Sequence, residues 1–179
     1  NSQTITTIAG TGMAGFSGDQ GPANSAMINA LYGQVACDKY GNVFFADCFN
    51  HAIRKIDAIT GVITSVAGTG SGGFSGDGGL ATTAQLYYPD GVAIDSVGNI
   101  YISDASNNRI RKVLPSGMIT TICGTGIASS TGDGGPALAA TINGPGHMCL
   151  DRWGNLFVAD YYSHKIRKIA PNGTITTIC

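Results

Sequence analysis

The stretch GNLFVADYYSHKIRKI (154–169) decides the fold, because the chain contains three copies of it. The other copies are GNVFFADCFNHAIRKI (41–56) and GNIYISDASNNRIRKV (98–113). A second marker recurs in step with them, as TITTIAGTG (4–12), VITSVAGTG (62–70), MITTICGTG (118–126) and TITTIC (174–179). The markers are 58, 56 and 56 residues apart. Repetition at a fixed period of this size is typical of solenoids, propellers and other arrays of structural units.

Each period predicts four strands, which we label a to d. Strand a ends in Asp, a Gly-Asn turn leads to strand b, strand c carries IRKI or IRKV, and strand d carries the ITTI marker. The links from a to d are short, which favours an antiparallel meander. Strand b is apolar at consecutive positions, as in VFFA (43–46), and this indicates burial on both faces. A four-stranded sheet buried on both faces and repeated along the chain is a blade of an all-β propeller.

The markers divide residues 1–179 into a single propeller segment. Blade 1 covers about residues 10–67, blade 2 about 68–123 and blade 3 about 124–179. Residues 4–9 repeat the marker of strand d and are expected to form an extra outer strand that belongs to a preceding blade.

The motifs of these repeats resemble those of a known family. GFSGDGGLA (73–81), the strand pair with GVAID and GNIYISD (91–104), NNRIRKV (107–113) and ITTICGTG (119–126) are similar to NHL repeats, in the long-loop version common in secreted and cell-surface proteins. The resemblance implies a propeller, usually of six blades, that binds other molecules through its loops. It also allows an alternative, since some relatives are lyases or hydrolases with a metal in the central channel. Three blades are half of a six-bladed ring.

A three-bladed arc is predicted to expose two blade faces. Four strands about 17 Å long and about 4.8 Å apart give a face on the order of 300 Å². Burial of such a face contributes up to roughly 8 kcal/mol. The expected partners are therefore further propeller blades, preferably of the protein's own longer chain, otherwise of identical copies that close a ring or extend as a filament.

Composition excludes some functions and favours others. The chain has 10 basic and 11 acidic residues, all of the latter Asp, and a net charge of −1, so nucleic-acid binding is not expected. No apolar run is long enough for membrane insertion. The chain shows neither an initiator Met nor a signal peptide, which favours a mature or excerpted product. The family resemblance implies an extracellular or cell-surface location.

Five cysteines are present, without a CxxC motif, so a structural zinc site is not expected. Cys37, Cys123 and Cys149 are expected to be small buried residues. Cys48 lies in a loop and is the candidate for reactivity or for a cross-link between chains.

The d–a and b–c loops of a propeller share one face, which we call the loop face. Positions that differ between the copies are the natural place for ligand choice, and here several are aromatic or His. The predicted binding residues for a protein or glycan ligand are Phe49, His51, Tyr161, Tyr162 and His164. For each of them alone ordinary loop packing is the favoured interpretation, and binding is favoured for the face as a whole.

The position before strand a is expected to face the central channel, and it is occupied by Gln34, Gly91 and His147. A channel metal needs several ligands at once, and one His in three copies does not supply them. We therefore predict no metal, no cofactor and no catalytic residue, with the propeller-type lyase or hydrolase as the alternative.

The positions that do not vary are predicted to be structural. Asp38, Asp95 and Asp151 open the Gly-Asn turns. A ladder of buried charges is expected from Asp47, Asp104 and Asp160 with Arg54, Arg111 and Arg167. Finally, Asn172-Gly173-Thr174 is an N-glycosylation sequon at the c–d turn of blade 3. Asn-Gly is also favourable turn chemistry, so the sequon has two readings.

Overall fold

The computed structural model describes residues 3–30 and 32–179. They contain twelve strands in three four-stranded antiparallel sheets, each ordered as in the sequence. The strands of blade 1 are β1 (Val35–Cys37), β2 (Val43–Asp47), β3 (Ala52–Ile56) and β4 (Ile63–Ala67). Those of blade 2 are β5 (Pro89–Ile94), β6 (Ile100–Asp104), β7 (Arg109–Val113) and β8 (Ile119–Cys123). Those of blade 3 are β9 (Pro145–Leu150), β10 (Leu156–Asp160), β11 (Lys165–Ile169) and β12 (Ile175–Thr177).

The predicted all-β fold of three four-stranded blades is confirmed. The structure differs from the prediction at residues 4–9, which form no strand. Ile5 is 99% exposed, and no described strand lies beside this segment to pair with it. A strand requires a hydrogen-bonded neighbour, and the described residues provide none for this segment, so the predicted outer strand does not form.

The Gly-Asn turns follow the predicted mechanism. Asp38 Oδ1 accepts hydrogen bonds from the backbone N–H groups of Tyr40 at 2.8 Å and Asn42 at 3.0 Å, and Oδ2 accepts one from Asn42 Nδ2 at 2.7 Å. Burial would raise the pKa of Asp38, but these hydrogen bonds outweigh it and lower the pKa below its ordinary value. Asp95 and Asp151 hold their turns in the same way.

The long d–a loops of blades 2 and 3 each pack between two neighbouring sheets. Ala81, Ala84 and Leu86, from the loop of blade 2, share one buried cluster with Phe44 and Ile53 of blade 1 and with the facing residues of blade 2. Blades 2 and 3 are joined in the same way by the loop of blade 3. The loop sequence fits this close packing, because a Cβ on Gly76, whose φ is +86°, would lie 2.6 Å from the Cβ of Ala84.

The two outer flanks differ from each other, whereas the sequence predicted two bare faces. On blade 1 the flank is partly covered by its own loop, where Ala23 and Ala26 pack on Phe45, Ile56 and Ile63. On blade 3 the flank is open. Its Phe157, Ala159 and Ile166 are only half-buried, although the equivalent residues of blade 1, Phe44, Ala46 and Ile53, are buried.

The cysteine predictions need correction. Cys123 is buried as expected, but Cys37 and Cys149 are exposed. Both lie on the first strand of an end blade, on the face turned away from blade 2, where no sheet of the described residues covers them. Cys48, the loop cysteine, is buried instead. Burial, helped by the charges of Asp90 and Asp47, raises the pKa of its thiol to about 11, which disfavours the reactive thiolate.

Two isoleucines at the same repeat position test the difference between the flanks. Ile53→Ala should lower the free energy of unfolding by about 3 kcal/mol, because Ile53 is fully buried between blades 1 and 2. Ile166→Ala should cost about 1 kcal/mol or less, because Ile166 is half-exposed on the open flank. Urea denaturation measures both. Equal costs would mean that the flank of blade 3 is covered in solution.

Candidate functional site

The b–c loops begin with one turn of 3-10 helix that follows strand b, at Cys48–Asn50, Ala105–Asn107 and Tyr161–Ser163. Each turn ends at a residue in the left-handed conformation, and φ is 52° at His51, 51° at Asn108 and 54° at His164. The same backbone path therefore recurs three times, while its side chains change from blade to blade.

A buried arginine in strand c fixes each of these loops. Arg54 Nη1 lies 3.1 Å from Asp47 Oδ2, and both side chains are fully buried. Arg54 Nη2 also lies 2.8 Å from Asp19 Oδ1, in the Gly-rich d–a loop. Asp47 Oδ1 accepts hydrogen bonds from Asn29 N at 2.7 Å and Asn50 Nδ2 at 2.9 Å.

The same network occurs in the other blades. Arg111 joins Asp104 at 3.2 Å to Asp77 at 2.8 Å, and Arg167 joins Asp160 and Asp133, each at 3.1 Å. In each blade the carboxylate at the end of strand b is fully buried and paired with the arginine, so the geometry agrees with a scaffold role for the predicted ladder.

A cavity of about 900 Å³ lies on the loop face, among residues from all three blades. Its most prominent feature is a set of aromatic side chains: Tyr32, Phe49, Tyr88, Tyr161 and Tyr162. Phe49 and Tyr88 are in edge-to-face contact with ring centroids 5.5 Å apart, and Tyr161 and Tyr162 are at 5.1 Å. Tyr161 is 65% exposed and Tyr162 68% exposed. Three of the predicted binding residues, Phe49, Tyr161 and Tyr162, thus line one cavity.

His51 was predicted to bind a ligand, but its side chain contacts the next blade and does not line the cavity. Its Nδ1 accepts a hydrogen bond from the backbone N–H of Tyr88 at 3.1 Å, and its ring packs against Tyr87 and Tyr88. Asn108 makes the equivalent bond between blades 2 and 3, since its Oδ1 accepts from Gly144 N at 2.9 Å. We call this bond the inter-blade latch. His164, its third copy, is exposed and lies beyond the cavity lining.

The predicted channel residues lie where the first strands of the blades converge. Gln34 Oε1 accepts hydrogen bonds from Met148 N at 3.0 Å and Val92 N at 3.2 Å, and its Nε2 donates to Met148 O at 2.8 Å. One side chain of blade 1 thus ties the backbones of blades 2 and 3. His147 lines the cavity, with its Nε2 3.2 Å from the carbonyl oxygen of Tyr32 and 3.8 Å from Asp90 Oδ1.

Sequence reasoning missed the cavity residues Tyr32, Tyr88 and Asp90, and it missed Tyr87, which packs against His51 and Tyr88. The three tyrosines lie between the d–a loop and strand a, a stretch that the repeat pattern assigned only to a connection, and Asp90 lies in β5. A signal was present, because blade 2 has two adjacent tyrosines where blade 3 has Asn143 and Gly144. Tyr88 also has φ of 48°, a conformation that non-glycine residues rarely adopt.

The described residues contain neither a candidate metal cluster nor a candidate membrane-spanning helix. Within residues 3–30 and 32–179, no three His, Cys or acidic side chains are grouped so that they could hold a metal ion. In the same residues, no helix has the length and apolar character needed to cross a bilayer.

Comparisons with known proteins agree on the family. The model of the teneurin NHL domain matches residues 70–131. NHL repeat-containing protein 2 of Bos taurus is 31% identical over 133 residues, which are 70% of this chain and 18% of that protein. The chain belongs to the NHL-repeat β-propeller family.

Other relatives of this NHL chain extend the comparison. Teneurin-3 of Mus musculus is 32% identical over 158 residues, which are 80% of this chain and 5% of that protein. A solved structure from Bacteroides thetaiotaomicron, of unknown function, superposes with a TM-score of 0.70 at 26% identity and covers 93% of this chain and 39% of that one. The chain thus spans less than a fifth of the curated relatives named here.

The inter-blade latch makes a prediction about pH. Burial lowers the pKa of His51 in the folded protein, so the unfolded chain binds a proton more readily. Stability from the latch should be fully present above the ordinary His pKa of about 6.5 and should be lost as pH falls through the lower, folded-state pKa. His51→Asn, which copies Asn108, should keep the bond and remove this dependence.

The free energy of unfolding of the wild type and of the variant is measured at several pH values between 7 and 5. The quantity compared is the difference between the two proteins at each pH. In this three-bladed chain His164→Asn is the matched control and should leave the profile unchanged, because His164 is exposed there and makes no inter-blade bond among the described residues. If His51→Asn has the same pH profile as wild type, the latch does not titrate.

Proposed function

We propose that this chain is a non-enzymatic segment of an extracellular NHL propeller that recognises a protein partner through its loop face. One observation carries the proposal. The side chains that differ between the repeats, Phe49, Tyr161, Tyr162 and Tyr88, gather around one cavity, whereas the side chains that recur are bound up in turns and in the arginine ladder. Exposed aromatic side chains around a concavity are typical of interface anchors. A glycan ligand would be the second choice for the same face.

The alternative is a propeller lyase or hydrolase with a metal in its channel. Such a site needs about three protein ligands. Among the three channel positions, Gln34, Gly91 and His147, the His is the one common metal ligand. Asp90, whose Oδ1 lies 3.8 Å from His147 Nε2, would be a second ligand, which still leaves the site one short. The binding function is therefore better supported. Elemental analysis of the full protein distinguishes the two, since a stoichiometric transition metal would favour the enzyme.

Further blades of the same kind are the expected partners of the open flank. The residues on this flank of blade 3, Phe157, Ala159 and Ile166, repeat the residues that blade 1 uses against the loop of blade 2. His164 likewise repeats His51, so its Nδ1 could accept the N–H of a following blade. This chain matches only a small part of the length of its relatives, which supports the proposal that the further blades belong to the same, longer polypeptide. Closure or filament formation by identical copies is the second possibility.

An extracellular location predicts glycosylation at Asn172. This residue is exposed in the c–d turn of blade 3, where its Oδ1 accepts a hydrogen bond from Thr174 N at 3.0 Å. Mass spectrometry of protein secreted from eukaryotic cells should find a glycan there, and Thr174→Ala should remove it. Secretion with an unmodified Asn172 would contradict this prediction.

Recognition through the loop face can be tested by photo-crosslinking. A benzophenone amino acid at position 161 of the full protein, displayed at the cell surface, should form an adduct with one defined protein. The matched control is position 40, since Tyr40 is similarly exposed, at 73%, but lies in an a–b turn at the other end of the blade.

The captured protein is then purified, and its affinity is measured directly. Tyr161→Ser should weaken binding by about tenfold or more, as expected for an interface anchor, and Tyr40→Ser should not. Binding that is insensitive to Tyr161→Ser, or adducts formed equally from position 40, would overturn the proposed function.

A further inference from the structure

Ten of the acidic side chains of this chain cap turns or pair with the buried arginines, and one does neither. All 11 are Asp. Those that cap turns are Asp38, Asp57, Asp95 and Asp151. Those in the arginine ladder are Asp47, Asp104 and Asp160, with the loop partners Asp19, Asp77 and Asp133. Asp90 remains. The other blades have Gly33 and Gly146 at its position, so the fold itself does not require a carboxylate there.

Asp90 lines the cavity, and its carboxylate lacks close hydrogen-bond partners among the described residues. Its Oδ1 is buried and has no hydrogen-bond partner in the described part of the chain, and His147 Nε2, which carries a charge only when the ring is protonated, lies 3.8 Å away. The side chain as a whole is 28% exposed, so part of the carboxylate still faces the cavity. A carboxylate that is partly buried without a partner is unfavourable, which points to a partner that comes from outside.

The surroundings of Asp90 favour a positive charge. Tyr32, Phe49, Tyr88, Tyr161 and Tyr162 line the same cavity, and among its described lining residues there is no Lys or Arg. Aromatic faces attract ammonium and guanidinium groups, most strongly where water is partly excluded.

We propose that the cavity holds the ammonium group of a lysine side chain of the partner protein, between the carboxylate of Asp90 and the aromatic residues that line the cavity. The inference rests on the proposed function, since it names the chemistry of the group that the loop face recognises. Lysine fits the site better than a neutral ligand, because it supplies both the missing charge and hydrogen-bond donors for Asp90.

The test uses the capped tripeptide Gly-Lys-Gly and the same peptide acetylated on the lysine. Ligand-observed NMR on the full protein should give a dissociation constant of about 1 mM for the first and binding about tenfold weaker or undetectable for the second. Asp90→Asn should weaken binding of the lysine peptide by about tenfold while leaving the thermal unfolding curve nearly unchanged, since no hydrogen bond of the scaffold is lost. Tyr161→Leu should weaken it as well.

Asp57→Asn is the control. It removes the same charge at an exposed c–d turn away from the cavity, and it should leave peptide binding unchanged. Equal binding of the two peptides, or full affinity in Asp90→Asn, would overturn the lysine site.

The two proposals fail separately. If the crosslinked partner binds through Tyr161 but is indifferent to Asp90→Asn, the loop face is a binding surface without a lysine pocket. If the lysine peptide binds as expected and the partner is indifferent to Tyr161→Ser, the pocket exists but the proposed function is wrong.

Discussion

The loop face depends on one interaction that occurs in every blade, a buried arginine held between two carboxylates. Removing a guanidinium from water is costly, and the cost is offset only when its donors are well paired. Arg54, Arg111 and Arg167 are fully buried, and each reaches both the end of strand b and the Gly-rich loop. Strand, turn and loop are therefore fixed relative to one another. Loss of one partner would leave a buried charge uncompensated, which explains why the same residues stand in each copy.

The third blade shows how this interaction tolerates change around it. Phe16 and Phe74, in the loops of the first two blades, stack near the guanidinium groups of Arg54 and Arg111 at 5.1 and 4.8 Å. Blade 3 has Ser130 at this position, and its Oγ hydrogen-bonds to Asp160 Oδ2 at 2.7 Å and accepts from Arg167 Nη1 at 3.0 Å. An aromatic contact is thus replaced by hydrogen bonds, while the ion pairs stay as they are.

The features that repeat could be predicted from the sequence, and most that do not repeat could not. Strand bounds, Gly-Asn turns and the Asp–Arg pairs follow from local patterns that occur three times, so each copy supports the others. The aromatic residues of the b–c loops were found because they vary within an aligned motif. Tyr88 was missed because the stretch before strand a has no motif common to the three copies and its position depends on the preceding blade, through the bond to His51. Asp90 was missed because its position in strand a is occupied by Gly in the other copies. Cys37 and Cys149 were misassigned for a related reason, since burial of a strand's face depends on whether a neighbouring sheet is present.

The cavity and the open flank are not independent, because they share residues of blade 3. Ala159 lines the cavity and also lies on the flank, at the position where Ala46 is completely buried between blades 1 and 2. Tyr162 packs over Gly144, where any side chain would overlap its ring, so the wall of the cavity on this side is set by close contact. A blade docked on the flank would cover Ala159 and bring its own first strand towards Tyr161 and Tyr162. The aromatic residues thus form one side of a cavity whose far wall depends on what covers blade 3, so the proposed ligand binding and the docking of a further blade would be coupled through these residues.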